Sequence, residues 1–221
     1  MNISIEGKEV QLEPGATCAD ALKAALSGKA FKSCVAARAG DDYFDLSSPV
    51  PARVAEGSAI LAPVSINTPE GLEILRHSTA HVMACAVQRL FPKAKVTIGP
   101  AIEKGFYYDF DSPRPFSVDD FPAIEAEMRH IAKDAIPFTR SEMSKKEAIR
   151  FFEEKGESYK VEIIEAIEAE TVSLYHLAEF TDRCRGPHLP HAGFIKAATL
   201  LSVAGAYWRG DEKNKMLSRI Y

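Results

Sequence analysis

Two short motifs of this 221-residue chain carry side chains suited to catalysis or metal binding, His77-x-x-x-His81 and Cys184-x-x-x-His188. The first lies in a segment of helical periodicity, so its two histidines fall on one face about a turn apart. Imidazole and thiolate groups are ligands that tetrahedral zinc accepts. No glutamate lies between the histidines, so the general base of an HExxH zinc peptidase is missing. The residue types leave two alternatives open, a zinc site of His77, His81, Cys184 and His188 or a metal-free polar pocket.

The elements that must position these motifs follow an α+β pattern of two domains. Short segments within residues 1–63 have the order ββαβββ, which is typical of a small ubiquitin-like β-grasp domain. Thr17 is the predicted N-cap of its helix, and Ser58–Ala62 is its predicted last strand. A linker, Pro63–Pro69, leads to a larger α+β domain over residues 67–221.

The larger domain is predicted to pack a long helix on an antiparallel sheet. The helix begins with Thr68 as N-cap and Pro69 at the first helical position. An apolar stripe is predicted to face the core, and it consists of Leu72, Leu75, Val82 and Ala86. The histidines of the first motif then lie on a separate face, beside a groove.

The second motif is predicted to lie in a loop. Gly186-Pro187 and Leu189-Pro190 predict two turns, so residues 181–191 are interpreted as a loop dense in reactive side chains. Two further strands are predicted beyond it, over Gly193–Ile195 and Ala198–Val203.

The composition limits the classes of function and the cellular compartment. The chain is 46% hydrophobic and 26% charged with a formal net charge of −4, so any contact with RNA depends on local cationic clusters. No apolar run approaches the roughly 20 residues that span a membrane, and the N-terminus lacks a signal-peptide pattern. The four cysteines are far apart and form no CxxC pair, so they are interpreted as reduced thiols. We therefore expect a cytoplasmic protein without a membrane partner.

Several segments resemble threonyl-tRNA synthetases of the bacterial type. The run Arg76–Ala84, RHSTAHVMA, is similar to the HxxxH segment of threonyl- and alanyl-tRNA synthetase editing domains. Residues 98–109, 182–188 and 201–211 resemble three later segments of the threonine enzyme, in the same order. Residues 1–65 are similar to its N-terminal TGS domain. The resemblance covers essentially the whole chain, and the ordered set of segments is specific.

The resemblance implies an editing hydrolase that maintains translational fidelity. Its substrate would be mischarged Ser-tRNA(Thr), bound by the tRNA acceptor end, and its reaction would be hydrolysis of the aminoacyl ester. Serine lacks only the methyl group of threonine, which is worth about 1–3 kcal/mol in a binding pocket, so a synthetic site cannot reject it strongly. A second site can instead admit serine and exclude threonine through a clash with that methyl group.

The same resemblance sets an expectation about what lies outside these residues. The class II catalytic core and the anticodon-binding domain of the family have no counterpart in the 221 residues. We expect the chain to be the N-terminal region of a threonine–tRNA ligase that does not aminoacylate by itself. Editing is expected to need no cofactor, since ATP, Mg and zinc belong to the absent core. The full-length enzyme is expected to be a homodimer through the absent domains.

The resemblance also assigns roles to individual side chains. His77 and Asp182 would position the substrate and its adenosine, and His81 would contact the ester. Cys184 and His188 would shape the serine-binding end and order water, with Cys184 as a covalent nucleophile the less favoured alternative. Lys160 would help to hold a catalytic water, and Tyr108 would border the pocket. Cationic contacts to tRNA are expected from Arg183, Arg185, Lys196, Arg209, Lys213 and Lys215.

Two alternatives to this function stay open. One is a zinc-dependent editing domain of the alanyl type, which would use the four ligands of the two motifs. The other is a non-catalytic module that binds tRNA or regulates a synthetase.

Overall fold

The computed structural model describes all 221 residues and combines helices with mostly short strands, which confirms the α+β class. Contacts divide the chain into two compact units. The N-terminal unit comprises Met1–Leu75 and Gly186–Pro190, and the larger unit comprises Arg76–Arg185 and His191–Tyr221. No helix is both long enough and apolar enough to cross a membrane.

The N-terminal unit builds an apolar core from two small antiparallel sheets and short helices. Its elements are β1 (Asn2–Ile5), β2 (Lys8–Gln11), α1 (Cys18–Ala25), α2 (Gly28–Lys32), β3 (Cys34–Ala39), β4 (Asp42–Asp45), α3 (Ala52–Ala55) and β5 (Leu61–Ser65). Strands β1 and β2 form a hairpin, and the second sheet has the order β4-β3-β5. Thr17 caps α1 as predicted, in a reciprocal capping box with Asp20. The β-grasp assignment of this unit stays a prediction.

The end of the N-terminal unit differs from the prediction of a strand over Ser58–Ala62 and a linker from Pro63. The strand is Leu61–Ser65, and Pro63 pairs with Ala37 of β3. Proline is tolerated there because β5 is an edge strand, so no neighbour needs its missing N–H group.

A single helix, α4 (Pro69–Leu90), carries the first motif. Thr68 Oγ1 accepts the Gly71 N–H at 3.1 Å, which satisfies one of the unpaired donors of the first turn. A Cβ atom on Gly71 would lie 2.0 Å from the Ser65 carbonyl oxygen, so only glycine allows the helix to start this close to the preceding segment. This approach explains why the N-terminal unit extends to Leu75, past the expected boundary.

The predicted apolar stripe of α4 is confirmed at Val82 and Ala86, which are buried, and wrong at Leu72. Leu72 is 38% exposed, whereas Ile74 is buried. Residues 78–87 are all buried, so this part of the helix is enclosed on every side and has no single core-facing stripe.

The larger unit contains a four-stranded sheet, a three-stranded sheet and three further helices. The four-stranded sheet has the order β13-β14-β9-β6 and the three-stranded sheet the order β10-β11-β12. The strands are β6 (Lys95–Val96), β7 (Ala101–Ile102), β8 (Gly105–Phe106), β9 (Tyr108–Asp111), β10 (Phe138–Ser144), β11 (Thr171–Leu177), β12 (Phe180–Arg183), β13 (Val203–Tyr207) and β14 (Met216–Ile220). The helices are α5 (Phe121–Lys133), α6 (Lys145–Glu154) and α7 (Ser158–Glu165).

Three local predictions for the larger unit are wrong. Asp182 lies on β12 and not in a loop, because β12 joins β11 through a two-residue turn at Ala178 with φ 52° and no glycine to signal it. The expected strand Gly193–Ile195 is instead part of a 3-10 turn, Ala192–Phe194. The expected strand Ala198–Val203 is displaced to Val203–Tyr207, where β14 supplies its partner.

Candidate functional site

Four elements of the larger unit bring its candidate side chains together. Helix α4 carries His77 and His81, strand β9 carries Tyr108, helix α7 carries Lys160, and strand β12 carries Asp182. Cys184 follows β12 directly, and its backbone bonds keep it in line with β11. Its N–H donates to the Ser173 carbonyl at 3.4 Å, and its carbonyl accepts the Ser173 hydroxyl.

The first group of this site is formed by His77, His81 and Cys184. His77 Nε2 lies 2.9 Å from Cys184 Sγ. The two imidazole rings are 4.8 Å apart between centroids, at an interplanar angle of 67°. The ligand atoms of the three side chains all lie within 4.8 Å of one another. The pair of motifs therefore does converge in space, although His77 and Cys184 are 107 residues apart.

The second group is a closed network of Lys160, Asp182 and Tyr108, all buried. Lys160 Nζ pairs with Asp182 Oδ1 and donates to the Thr97 carbonyl at 2.5 Å and to the Tyr108 hydroxyl at 3.1 Å. Tyr108 in turn donates to Asp182 Oδ2 at 2.6 Å. Three acceptors match the three donors of the ammonium group, which compensates its removal from water.

His81 connects the two groups as a neutral side chain. Its Nε2 lies 3.6 Å from Asp182 Oδ2, and its ring meets Phe180 edge-on at 5.9 Å. Burial lowers the pKa of His81 well below its ordinary value of 6.5, and the neighbouring His77 and Lys160 act in the same direction. Imidazolium is therefore disfavoured, and the ring offers one donor and one acceptor.

Tyr108 is held as a neutral phenol in a tight position. Burial first, and then the Asp182 carboxylate, raise the pKa of Tyr108 well above 10.0. Its ring lies against Gly99, where an added Cβ would be 2.0 Å from the ring carbon Cδ2. The glycine before Pro100 is thus required by the close approach of the ring.

The remaining predicted site residues differ in burial. His188 belongs to the N-terminal unit, where it is buried and its backbone N–H donates to Asp45 Oδ1 at 2.9 Å. Arg183 is half-buried, and burial followed by the neighbouring Arg185 lowers its pKa. Arg185 is exposed.

Three of the cations expected to contact tRNA already have partners within the larger unit. Arg209 pairs with Glu162 at 3.0 Å, and Lys215 pairs with Asp111 at 2.7 Å. Lys196 Nζ donates to the Gly193 carbonyl at 2.7 Å, and Lys213 is exposed.

One buried carboxylate next to the network was not among the predicted site residues. Glu157 precedes α7, and its two oxygens accept hydrogen bonds from Gln88 and Val96. Burial raises its pKa, against the opposite effect of these hydrogen bonds and of Lys160. The spacing Glu157-x-x-Lys160 was the available signal, since residues three apart share a helix face.

Comparisons with known proteins agree with the geometry. A family model described as threonyl and alanyl tRNA synthetase second additional domain matches residues 172–221. Threonine–tRNA ligases of Nitratidesulfovibrio vulgaris and Desulfovibrio desulfuricans are 60% and 61% identical to this chain, and that of Solidesulfovibrio magneticus is 50% identical. Each match covers 100% of this chain and 34% of the relative, so the chain spans about a third of the relatives' length. Over all 221 residues, the chain is therefore similar to threonine–tRNA ligases at 60–61% identity.

Proposed function

We propose that this chain hydrolyses the ester of mischarged Ser-tRNA(Thr), as the editing region of a threonine–tRNA ligase. The observation that carries the proposal is the contact of His77 with Cys184 beside the closed Lys160–Tyr108–Asp182 network. Its ligand is the acceptor end of tRNA(Thr), with Arg183 and Arg185 as cationic contacts. The N-terminal unit is then a TGS-like β-grasp domain, and the protein acts in the cytoplasm. Aminoacylation and homodimer formation belong to parts of the ligase outside these residues.

The reaction needs a fixed ester, a positioned water and a path for protons. Water attacks the serine carbonyl carbon, the bond from that carbon to the ribose oxygen breaks, and the ribose oxygen takes up a proton. Lys160 supplies a fixed positive charge close to the reacting groups, while neutral His81 hydrogen-bonds at the ester. His77 and Asp182 position the adenosine end. Because the donors are already held by the fold, little reorganisation is needed during the reaction.

Discrimination against threonine is assigned to the end of the pocket at Cys184. Cys184 is held on both sides of its backbone by Ser173, so its side chain has little freedom to retreat from an added methyl group. Rigid walls are required, since a methyl group contributes only about 1–3 kcal/mol to binding. Serine fits without the clash and is hydrolysed.

The test compares hydrolysis of Ser-tRNA(Thr) and Thr-tRNA(Thr) by the 221-residue chain. We expect faster loss of serine, and a large decrease in that rate in His77→Ala and Cys184→Ala. His130→Ala is the matched control, because His130 is an exposed histidine of α5 outside the site. Equal rates on both substrates would contradict the proposal, as would unchanged rates in the two site variants. The latter result would favour a non-catalytic tRNA-binding module.

A zinc-dependent hydrolase is the second candidate, favoured by the meeting of three possible ligands. His77, His81 and Cys184 have donor types that zinc accepts, and their ligand atoms lie within 4.8 Å of one another. Zinc, when bound, would act as a Lewis acid and lower the pKa of its water. Stoichiometric zinc in the purified chain, lost in Cys184→Ser but kept in Cys34→Ser, would support this candidate. Full activity without bound metal, and no absorption change on adding Co²⁺, would reject it.

A further inference from the structure

Glu157 joins three elements of the larger unit through one buried carboxylate. Its side chain is 9% exposed. Oε1 accepts the Gln88 Nε2–H at 2.5 Å, and Oε2 accepts the Val96 N–H at 3.2 Å. Gln88 lies on α4, Val96 on β6, and Glu157 itself at the start of α7. An apolar side chain at this position would leave two donors without this acceptor.

Glu157 and Lys160 bond to the backbone of two consecutive residues, Val96 and Thr97. The Lys160 N–H donates to the Glu157 carbonyl at 3.0 Å, which makes the two residues the ends of one helical turn. Glu157 holds the N–H of Val96, and Lys160 Nζ donates to the carbonyl of the next residue, Thr97. Glu157 therefore determines where the backbone acceptor of Lys160 lies.

The contact with Gln88 extends this arrangement to the histidine helix. Gln88 follows His81 by seven residues and His77 by eleven, which are two and three helical turns. The three side chains therefore share one face of α4. Through Gln88, Glu157 links the face that carries the histidines to the first turn of the helix that carries Lys160.

We propose that Glu157 is a positioning residue of the hydrolytic site, which holds the Lys160 ammonium group in register with His81 and Asp182. This inference rests on the proposed function and assigns Glu157 no contact with substrate. A carboxylate is required because it is the group that accepts both hydrogen bonds. An amide at position 157 accepts one and presents its own NH₂ group to the other donor.

The test uses Glu157→Gln, and a double variant Q88E/E157Q that exchanges the two side chains. In the exchange, the amide at position 157 accepts from the Val96 N–H and donates to the carboxylate at position 88. Only the 3.4 Å bond from Gln88 Nε2 to the Ala94 carbonyl is lost. Glu165→Gln is the matched control, because Glu165 is an exposed glutamate at the end of the same helix.

Three measurements are made on each variant: kcat and KM for Ser-tRNA(Thr) hydrolysis, the ¹⁵N resonance of Lys160 Nζ, and thermal unfolding. We expect E157Q to lower kcat by about 10- to 100-fold with little change in KM, the scale of a small misplacement of a catalytic group. The Lys160 resonance should shift in E157Q, and Q88E/E157Q should restore both the resonance and most of kcat. E165Q should resemble the unmodified chain.

Two results would overturn the inference. In the first, E157Q unfolds at a lower temperature but keeps the kcat and the Lys160 resonance of the unmodified chain, which is a purely structural effect. In the second, the exchange variant fails to restore the resonance although it is folded. If the unmodified chain hydrolyses neither substrate, the proposed function fails, and the Lys160 resonance decides the positioning role by itself.

Discussion

The two units of the chain bury different kinds of side chains. The core of the N-terminal unit is mainly apolar, with Ile5, Leu22 and Leu61 fully buried. Asp45 and His188 are its buried polar or charged residues, and its Arg53–Asp42 ion pair is exposed. The larger unit buries Lys160 and Asp182 as an ion pair. It also buries the ionisable side chains of His81, Tyr108, Asp109 and Glu157.

This difference separates residues that stabilise the fold from residues that are expected to serve a reaction. Burial of apolar surface is favourable by about 25 cal/mol per Å². Burial of an ion pair gains little, because the loss of hydration offsets the attraction between the charges. An apolar pair of similar volume would serve stability equally well at positions 160 and 182. The retained charges therefore fit a catalytic role better than a structural one.

The largest expected effect comes from breaking the buried pair. Lys160→Met leaves Asp182 charged and without its cation, which should lower the free energy of unfolding of the larger unit by about 3–5 kcal/mol. Hydrolysis of Ser-tRNA(Thr) should also be lost. Trp208, the single tryptophan of the chain, lies in the larger unit and reports its urea unfolding by fluorescence.

The double variant K160M/D182N separates the loss of stability from the loss of hydrolysis. It removes both charges and leaves an amide oxygen to accept the Tyr108 hydroxyl, so most of the lost stability should return. Hydrolysis should not return. A destabilisation below about 1 kcal/mol in K160M would show that the pair is hydrated, contrary to its burial.

A change of pH is expected to have a smaller effect on the stability of the larger unit. Burial lowers the pKa of His81, His176 and His191, so each takes up a proton more readily in the unfolded state than in the folded state. Their contribution to stability is complete above about pH 6.5 and decreases below it, by up to about 1.4 kcal/mol per pH unit for His81 and by less for the partly exposed His176 and His191. Unfolding of the larger unit, followed by Trp208 fluorescence between pH 5 and pH 8, measures this slope.

The variant His81→Gln tests whether His81 contributes to this dependence of stability on pH. The raised pKa of Glu157 acts in the opposite direction, since its folded state takes up the proton first, so the comparison with the variant isolates His81. The slope should become shallower in H81Q. An unchanged slope would mean that His81 is protonated in the folded protein.

The smallest effect is expected from the exposed pair of the N-terminal unit. Asp42→Ala removes the 2.6 Å contact with Arg53, whose side chain is 40% exposed, and should change stability by less than about 0.5 kcal/mol. Arg53 keeps its bond to the Ala39 carbonyl and its position over the Phe44 ring. Amide exchange within β3 measures the effect. A loss comparable to that of K160M would remove the contrast between the two units.

Much of the local structure could be predicted from the sequence because neighbouring residues determine it. The helix starts at Thr17, Thr68 and Ser144 all depend on side-chain oxygens that bond N–H groups three residues later. The spacing of His77 and His81 likewise fixed their common helix face. These interactions close within a single turn, so no tertiary contact is needed to specify them.

Most residues of the candidate site were predicted, but their contacts with one another were not. The sequence indicated Lys160 and Tyr108 only through resemblance, since neither lies in a motif whose spacing carries its role. Glu157 was missed altogether, because its partners Gln88 and Val96 are 69 and 61 residues away. Asp182 was not predicted to lie on a strand, because the turn before that strand contains no glycine.

The sequence by itself determined the two histidine-bearing motifs, the α+β class and the helix that presents His77 and His81. Only the tertiary structure decided that Cys184 lies 2.9 Å from His77, that residues 78–87 of α4 are enclosed on every side, and that Lys160 is paired with Asp182. The physical reason is the range of the interactions. Capping and periodicity act within one turn, whereas the charge state of a buried group depends on partners that folding brings from distant parts of the chain.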